Sequence, residues 1–345
     1  METLNVWFKG RNLAISPPKS SATLFTTSSN ECKTVLDVKI DGEKVPTVQK
    51  PKFLGITFDN LLSFKQHATD LKTKIQSKNN ILKALTGSDW GKEKETIVNT
   101  YKAIGRSQSN YCCHIWTPAL SNTSWNNIQT AQNAALRTAT GCHRMTDIDH
   151  LHQETKVMKV KDHCEMLSKQ FLLATQKREH PNRVDLSLPP PPRQMKRTLT
   201  SRFGADIRQM SYPDLPEDMY KKRLKQIHTS NVTKSINSMA PNKVLLSRPP
   251  AIDKSEIKLP RQTRATLSQL RSGYSNYLTS YKARIDNTVQ DKCPYCDQSH
   301  TTTHLFSCAN NPTTLNVRDL WNQPVKAARF LNLPTDENGV YDDFG

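Results

Sequence analysis

The spacing of apolar residues changes several times along the chain, and each change marks a zone with its own expected structure. In residues 1–62 the runs Ala22-Thr23-Leu24-Phe25-Thr26-Thr27 and Phe53-Leu54-Gly55-Ile56-Thr57-Phe58 are short and β-like. Between them Val35-Leu36-Asp37-Val38-Lys39-Ile40 alternates and meets an Asp41-Gly42 turn. A strand-rich zone is predicted there, with one helix over 2–10. From 63 to 180 the period becomes helical: Ala68, Leu71, Ile75, Ile81, Leu82 and Leu85 recur at helix intervals before Gly87. A second helix is predicted over 92–104 with Gly105 as its stop. A third starts at a Ser121 or Thr123 cap and lines up Trp125, Ile128, Ala131, Ala135, Leu136 and Ala139 before Gly141. A fourth covers 160–176.

Prolines then interrupt every element between 181 and 263, at 181, 189–192, 213, 216, 241, 249, 250 and 260. Such a stretch reads as a basic, partly extended linker, with one helix over 218–239. Apolar order returns at Leu267, Leu270, Tyr274, Leu278, Tyr281 and Ile285, which step by 3, 4, 4, 3 and 4 residues. That seam suits a partner helix or internal packing equally well. The zones are therefore 1–62, 63–180, 181–263, 264–312, and 313–345 as a last helix with an acidic tail. The fold class they imply is α+β.

Charge adds a partner to this outline. The 345 residues carry 49 Lys+Arg against 31 Asp+Glu, a net charge of +18. Residues 1–188 hold 26 basic and 17 acidic side chains (+9), residues 189–334 hold 23 and 10 (+13), and the last eleven hold four acids and no base. An excess of this size points to a polyanion, because neutralising phosphates releases their counterions. RNA and DNA are the expected partners. Only 35% of residues are hydrophobic, low for one buried core of this length. No run approaches the roughly 18–20 apolar residues of a membrane span, and Met1-Glu2-Thr3 does not open a signal peptide. The expected location is intracellular, nuclear or cytoplasmic or both, with cysteines reduced or metal-bound. Lys221-Lys222-Arg223-Leu224-Lys225 could serve nuclear import or simply face solvent.

The sharpest chemical signal is Cys293-Pro294-Tyr295-Cys296 followed by His304 and Cys308. Three thiolates and an imidazole at this spacing suit a tetrahedral zinc ion, and four protein donors make the site structural because no position is left for water. A short helix would set His304 and Cys308 on one face; His300 is a rival fourth ligand. A second dense set, His143, Asp147, Asp149, His150, His152 and Glu154, reads chiefly as the acidic start of a helix rather than as a metal site. Tyr341-Asp342-Asp343 sits in an acidic tail, not on a hairpin that could hold two magnesium ions. No phosphate-binding Gly-x-x-x-x-Gly-Lys loop and no Gly-x-Ser-x-Gly elbow occurs.

Several ordered blocks carry a resemblance. Leu13-Ala14-Ile15-Ser16-Pro17-Pro18-Lys19-Ser20-Ser21-Ala22-Thr23-Leu24-Phe25, then Phe53-Leu54-Gly55-Ile56-Thr57-Phe58-Asp59, resemble the end of the reverse-transcriptase palm of jockey-type non-LTR retrotransposons. Tyr101-Lys102-Ala103-Ile104, Tyr111 with Trp116-Thr117-Pro118, and Gln132-Asn133-Ala134-Ala135-Leu136-Arg137 with Thr140-Gly141 resemble its helical thumb. Leu267-Ser268-Gln269-Leu270-Arg271-Ser272-Gly273-Tyr274 through the Cys-Cys-His-Cys set is similar to the family's C-terminal region. The resemblance implies a palm remnant over 1–62 whose primer grip includes Phe53, Leu54 and Gly55, a thumb over 63–180, the linker, and a zinc knuckle over 264–312. By resemblance Lys19 would protonate departing pyrophosphate or simply neutralise a phosphate; Lys221, Lys222, Arg223, Lys225 and Arg271 are further expected nucleic-acid contacts, with Tyr295 and Phe306 as stacking groups or as core. Magnesium would belong to the intact polymerase alone, since the family's aspartate motifs would precede residue 1. The expected function is a polymerase portion that holds template, primer and target; the alternative is a stand-alone nucleic-acid-binding or interaction protein without catalysis.

Overall fold

The computed structural model describes residues 2–87, 91–177, 180–183, 186, 197–210 and 216–335. The polyproline run 189–192, Pro213 and the Tyr341-Asp342-Asp343 tail lie outside the described residues. The fold is mostly helical, with a few small antiparallel strands, and it divides into two compact units, each assembled from three stretches of chain.

The first unit takes residues 1–73, 109–128 and 164–228. It opens with α1 (Glu2–Lys9) and two hairpins, β1 (Lys39–Ile40) with β2 (Glu43–Lys44) and β3 (Lys52–Phe53) with β4 (Ile56–Thr57). The strands are shorter than the alternating pattern predicts because side chains take the places of ladder bonds. Thr47 Oγ1 accepts the Leu36 N–H and donates to the Leu36 carbonyl, while Asn60 Nδ2 donates to Leu24 and Thr23 Oγ1 donates to Val48. Ala22 keeps one isolated bridge, to Thr47. The core of this unit surrounds Trp116, at the end of α5 (Cys113–Trp116), with Trp125 and His67 against its ring. α9 (Leu199–Arg208), within the stretch read as linker, starts at a Thr198/Ser201 capping box and buries Phe203 and Ile207.

The second unit takes residues 74–108, 129–163 and 229–345. Four helices contribute residues to both units: α2 (Lys65–Ala84), α6 (Asn122–Thr140), α8 (Val160–Ala174) and α10 (Glu217–Asn237). α3 (Lys94–Tyr101) does not stop at Gly105 but runs through a π turn over Lys102–Arg106 into α4 (Ser107–Asn110). The glycine serves packing: a Cβ there would come within 2.7 Å of the Tyr101 ring, whose hydroxyl donates to Gln132.

The predicted seam is two helices, not one. α11 (Arg261–Ser272) ends at Gly273, which takes φ +75°, and α12 (Thr279–Ile285) begins after a turn. Leu267 and Leu270 from the first and Leu278 and Tyr281 from the second enter one core with Leu320 and Trp321. Those last two belong to α14 (Asp319–Asn322), which is followed by α15 (Pro324–Phe330). The seam is thereby filled from within its own unit except at Ile285, which is exposed. No helix among the described residues is long and apolar enough to cross a membrane.

A candidate metal centre and its surroundings

Local turns bring the four predicted ligands together. In the Cys-Pro-Tyr-Cys turn the Tyr295 N–H points at Cys293 Sγ from 3.5 Å. Thr301 caps the four-residue helix α13 (Thr302–Leu305) by accepting the His304 N–H, and this aims the imidazole at the turn. Cys308 Sγ then lies 3.9 Å from both Cys293 Sγ and Cys296 Sγ, and His304 Nε2 lies 3.2 Å from Cys296 Sγ. All four donor atoms fall within 4.8 Å of one another. A zinc ion with bonds of about 2.3 Å to sulfur needs its sulfurs roughly 3.8 Å apart, so the cluster has the size of a tetrahedral thiolate site. Cys293, His304 and Cys308 are buried and Cys296 is half-buried. His300 is not a member: its Nδ1 accepts the Thr279 N–H at 3.2 Å.

The loop carrying these donors is tied to the core of its unit. Thr279 Oγ1 donates to Lys292, Ser280 Oγ donates to His300, and Thr302 Oγ1 donates to Leu270 in α11. Leu305 and Phe306, between the third and fourth ligands, are themselves core residues.

The second dense set disperses along α7 (Ile148–Thr155) and the turn before it. His143 Nδ1 sits 2.6 Å from the Tyr281 hydroxyl, Asp147 pairs with Lys243, and Asp149 pairs with Lys159. His150 meets Asn242, and His152 lies between Gln129 and the Val157 carbonyl, with burial pushing its pKa down to about 4. Glu154 faces another way, into a buried ion cluster. Burial alone would raise its pKa, but Lys94 at 3.1 Å and Arg271 at 3.0 Å hold the carboxyl well below its ordinary value. Arg271 also binds Glu256 and donates to the Leu320 carbonyl. Lys94 and Glu256 carry no sequence signal for this role, because they lie 60 and 102 positions from Glu154 and their partners are set by tertiary packing.

The residues expected to meet nucleic acid fall into two classes. Lys19 is exposed in a 3-10 turn over Pro17–Lys19 rather than on a strand, and Phe53, Leu54 and Gly55 are exposed at the β3–β4 turn. Lys221, Lys222 and Lys225 are exposed on α10, Arg223 is half-buried and donates to Gln226, and Tyr295 is exposed beside the metal cluster. Arg271 and Phe306 are interior instead: the guanidinium is fully buried among carboxylates, and the Phe306 ring packs on Phe330. One set of exposed lysines was missed in the sequence. Lys65, Lys74, Lys78 and Lys83 all face solvent on α2 and join no ion pair among the described residues, while Asp70 turns inward to Thr57. These lysines flank the stripe of Ala68, Leu71, Ile75 and Leu82 rather than oppose it, Lys74 and Lys78 on one side and Lys65 and Lys83 on the other, so the apolar period alone does not single them out.

Two curated relatives match about half of this chain. A probable RNA-directed DNA polymerase from transposon X-element of Drosophila melanogaster is 28% identical over 193 residues, 55% of this chain and 21% of that protein. The RNA-directed DNA polymerase from mobile element jockey of Drosophila funebris is 22% identical over 171 residues, 50% of this chain and 18% of that protein. The chain thus spans about a fifth of the length of the curated relatives it matches. No family model and no solved structure matches it. The similarity to non-LTR retrotransposon polymerases, first drawn from ordered sequence blocks, is found in both relatives.

Proposed function

We propose that this chain is a portion of a retrotransposon RNA-directed DNA polymerase that holds template and primer and does not carry the chemical step. The observation that carries this reading is its similarity to two such polymerases. In this reading residues 1–62 correspond to the end of the palm, with Phe53, Leu54 and Gly55 as the primer grip, and residues 63–180 to the thumb. Lys19 neutralises a phosphate, and Lys221, Lys222, Arg223 and Lys225 add basic contacts on α10. Lys74 and Lys78, four positions apart on α2 and in no ion pair among the described residues, support the same partner: like charges at that spacing repel one another, and a polyanion turns that cost into attraction.

Cys293, Cys296, His304 and Cys308 hold a structural zinc ion, which replaces apolar burial in a loop too small to build a core of its own. Tyr295, exposed at that loop, stacks on a base or contacts target DNA. In the intact polymerase magnesium ions would stabilise the entering and leaving oxygens of nucleotidyl transfer. None of the residues assigned here binds them.

The test is binding of the whole chain to an RNA–DNA hybrid across a salt series. Affinity should fall linearly with salt on logarithmic axes, and Lys78→Ala should reduce the slope by about one. A slope near zero would overturn the reading and favour a protein-interaction role. With magnesium and nucleotides the chain alone should extend no primer; extension by the purified chain would show that the chemistry has been misassigned.

A further inference from the structure

A serine or threonine followed by proline occurs twice in the sequence, at Ser16-Pro17 and Thr117-Pro118, and the structure separates the two. Thr117 is fully buried at the end of α5, where its N–H donates to Cys113, and Leu120 stands three positions on. Ser16 is exposed, in extended backbone at φ −90° and ψ 108°, and its side chain makes no capping bond to the turn that follows. Three positions on from Ser16 is Lys19, exposed as well and in no ion pair among the described residues.

The backbone hydrogen bonds of residues 14–20 stay inside that stretch among the described residues. The Lys19 N–H donates to Ser16 at 3.2 Å, the Ser20 N–H donates to Pro17 at 3.1 Å, and Ser20 Oγ adds a bond to the Ser16 carbonyl. The anchors lie to either side, at Leu13, whose N–H donates to Phe8, and at Ala22, which bridges to Thr47. No residue of Pro17–Lys19 is buried. Drawing the segment into an enzyme cleft would therefore undo one local turn and leave both hairpins in place. These are the features that a proline-directed protein kinase reads. A pocket with no acceptor for the N–H after the reacting serine takes proline, which has none, and rejects other residues, whose N–H would be buried unpaired. Acidic side chains in such an enzyme favour a base three positions on.

We propose that Ser16 is a phosphorylation site for a proline-directed protein kinase, and that its phosphate withdraws Lys19 from nucleic acid. The kinase transfers the γ-phosphoryl group of ATP. A bond forms from Ser16 Oγ to the γ-phosphorus, the bond from that phosphorus to the bridging oxygen breaks and leaves with ADP, and the hydroxyl proton passes to a carboxylate of the kinase. The product carries about −1.5 to −2 charge one turn from the Lys19 ammonium. That charge pairs with the lysine and repels an approaching phosphate backbone. The modification stands on the segment alone; its effect on binding rests on the nucleic-acid reading above.

The experiment treats the whole chain with ATP and a cyclin-dependent kinase, maps the phosphate by mass spectrometry, and measures binding to an RNA–DNA hybrid across a salt series. Ser16 should be modified and Thr117 should not. Lys19→Ala should slow the reaction several-fold, and Pro17→Ala should abolish it. Phosphorylation should weaken hybrid binding several-fold and lower the salt slope by about one, while Ser16→Ala treated in the same way should keep the affinity of the unmodified chain. No phosphate on Ser16, under conditions where a standard substrate of the kinase is modified, would overturn the proposal. If the phosphorylated chain keeps its affinity and slope while Lys78→Ala lowers the slope, the nucleic-acid reading stands and the switch is refuted. If the unmodified chain binds no hybrid, that reading falls and takes the switch with it, and the mapped phosphate decides the modification by itself.

Discussion

Two stretches of the second unit are equally rich in side chains that can hold a metal, and they end in opposite arrangements. Between 293 and 308 three cysteines and a histidine converge until their donor atoms lie within 4.8 Å of one another. Between 143 and 154 three histidines and three acids each find a different partner, from Tyr281 to Lys243 to Arg271. The difference lies in the backbone that carries them. A tight turn followed by a capped short helix folds four donors back on one point, whereas a continuous helix points successive side chains around its circumference. Density of ligand types in a sequence is therefore a weak signal, and density at turn spacing is a strong one.

Removing the metal should give the largest effect on this contrast. Zinc-finger sites contribute binding energy on the order of 10 kcal/mol to folding. Chelation of the zinc-loaded chain, or Cys296→Ser, should therefore abolish one-to-one zinc binding and expose the amides of 293–308 to hydrogen exchange. His304→Ala should do the same, while His300→Ala should keep the ion, because His300 bonds to Thr279 instead. Equal exchange with and without chelator would mean that the cluster is an ordinary set of reduced thiols.

The next effect belongs to Glu154, the one member of the dispersed set that is deeply buried with charged partners. Glu154→Gln leaves Arg271 and Lys94 with half their compensation and should cost about 3–5 kcal/mol in a denaturant titration. The sign with pH follows from its depressed pKa. The native state holds the carboxylate more tightly than the unfolded chain, so its contribution is complete above the ordinary glutamate value of 4.5 and is lost as pH falls through the lower native value. A Glu154→Gln variant as stable as wild type would show that the buried ions are merely tolerated.

Legibility differed between the same regions for physical reasons. The four candidate metal ligands and the helices around Ala68 and Ile128 are written in local spacing, which the chain carries without its tertiary partners. The split of the 267–285 seam depends on Gly273 adopting a left-handed turn, and an apolar period alone does not register that. The buried place of Arg271 was invisible because the carboxylates that neutralise it come from α7 and from the turn after Asp253. Of the prolines that suggested an extended linker, Pro216 and Pro260 stand at helix starts, the Pro216 carbonyl accepting the Tyr220 N–H of α10 and Pro260 preceding α11, while Pro249 and Pro250 lie in irregular chain between those helices.

A smaller effect comes from His152, whose burial holds it neutral to about pH 4 against 6.5 in a free chain. Between those values the unfolded state binds the extra proton, so stability is complete above about pH 6.5 and declines as pH falls toward 4. His152→Gln can still bond to the Val157 carbonyl and should flatten that part of the stability profile. An unchanged profile would assign the slope to the other histidines.

Asp147 should give the smallest effect and the sharpest contrast with Glu154, seven positions away in the same dense stretch. It stands at the N-cap of α7, where an aspartate commonly accepts a backbone N–H, but its side chain makes no capping bond and reaches Lys243 at 2.9 Å instead. Both partners are about half exposed, so water and salt screen the pair. Asp147→Ala should change stability by no more than about 0.5 kcal/mol, and added salt should shrink even that. A loss of about 1 kcal/mol or more, as a working cap contributes, would show that the carboxylate turns to the helix in solution. The dispersed set would then hold two structural anchors rather than one.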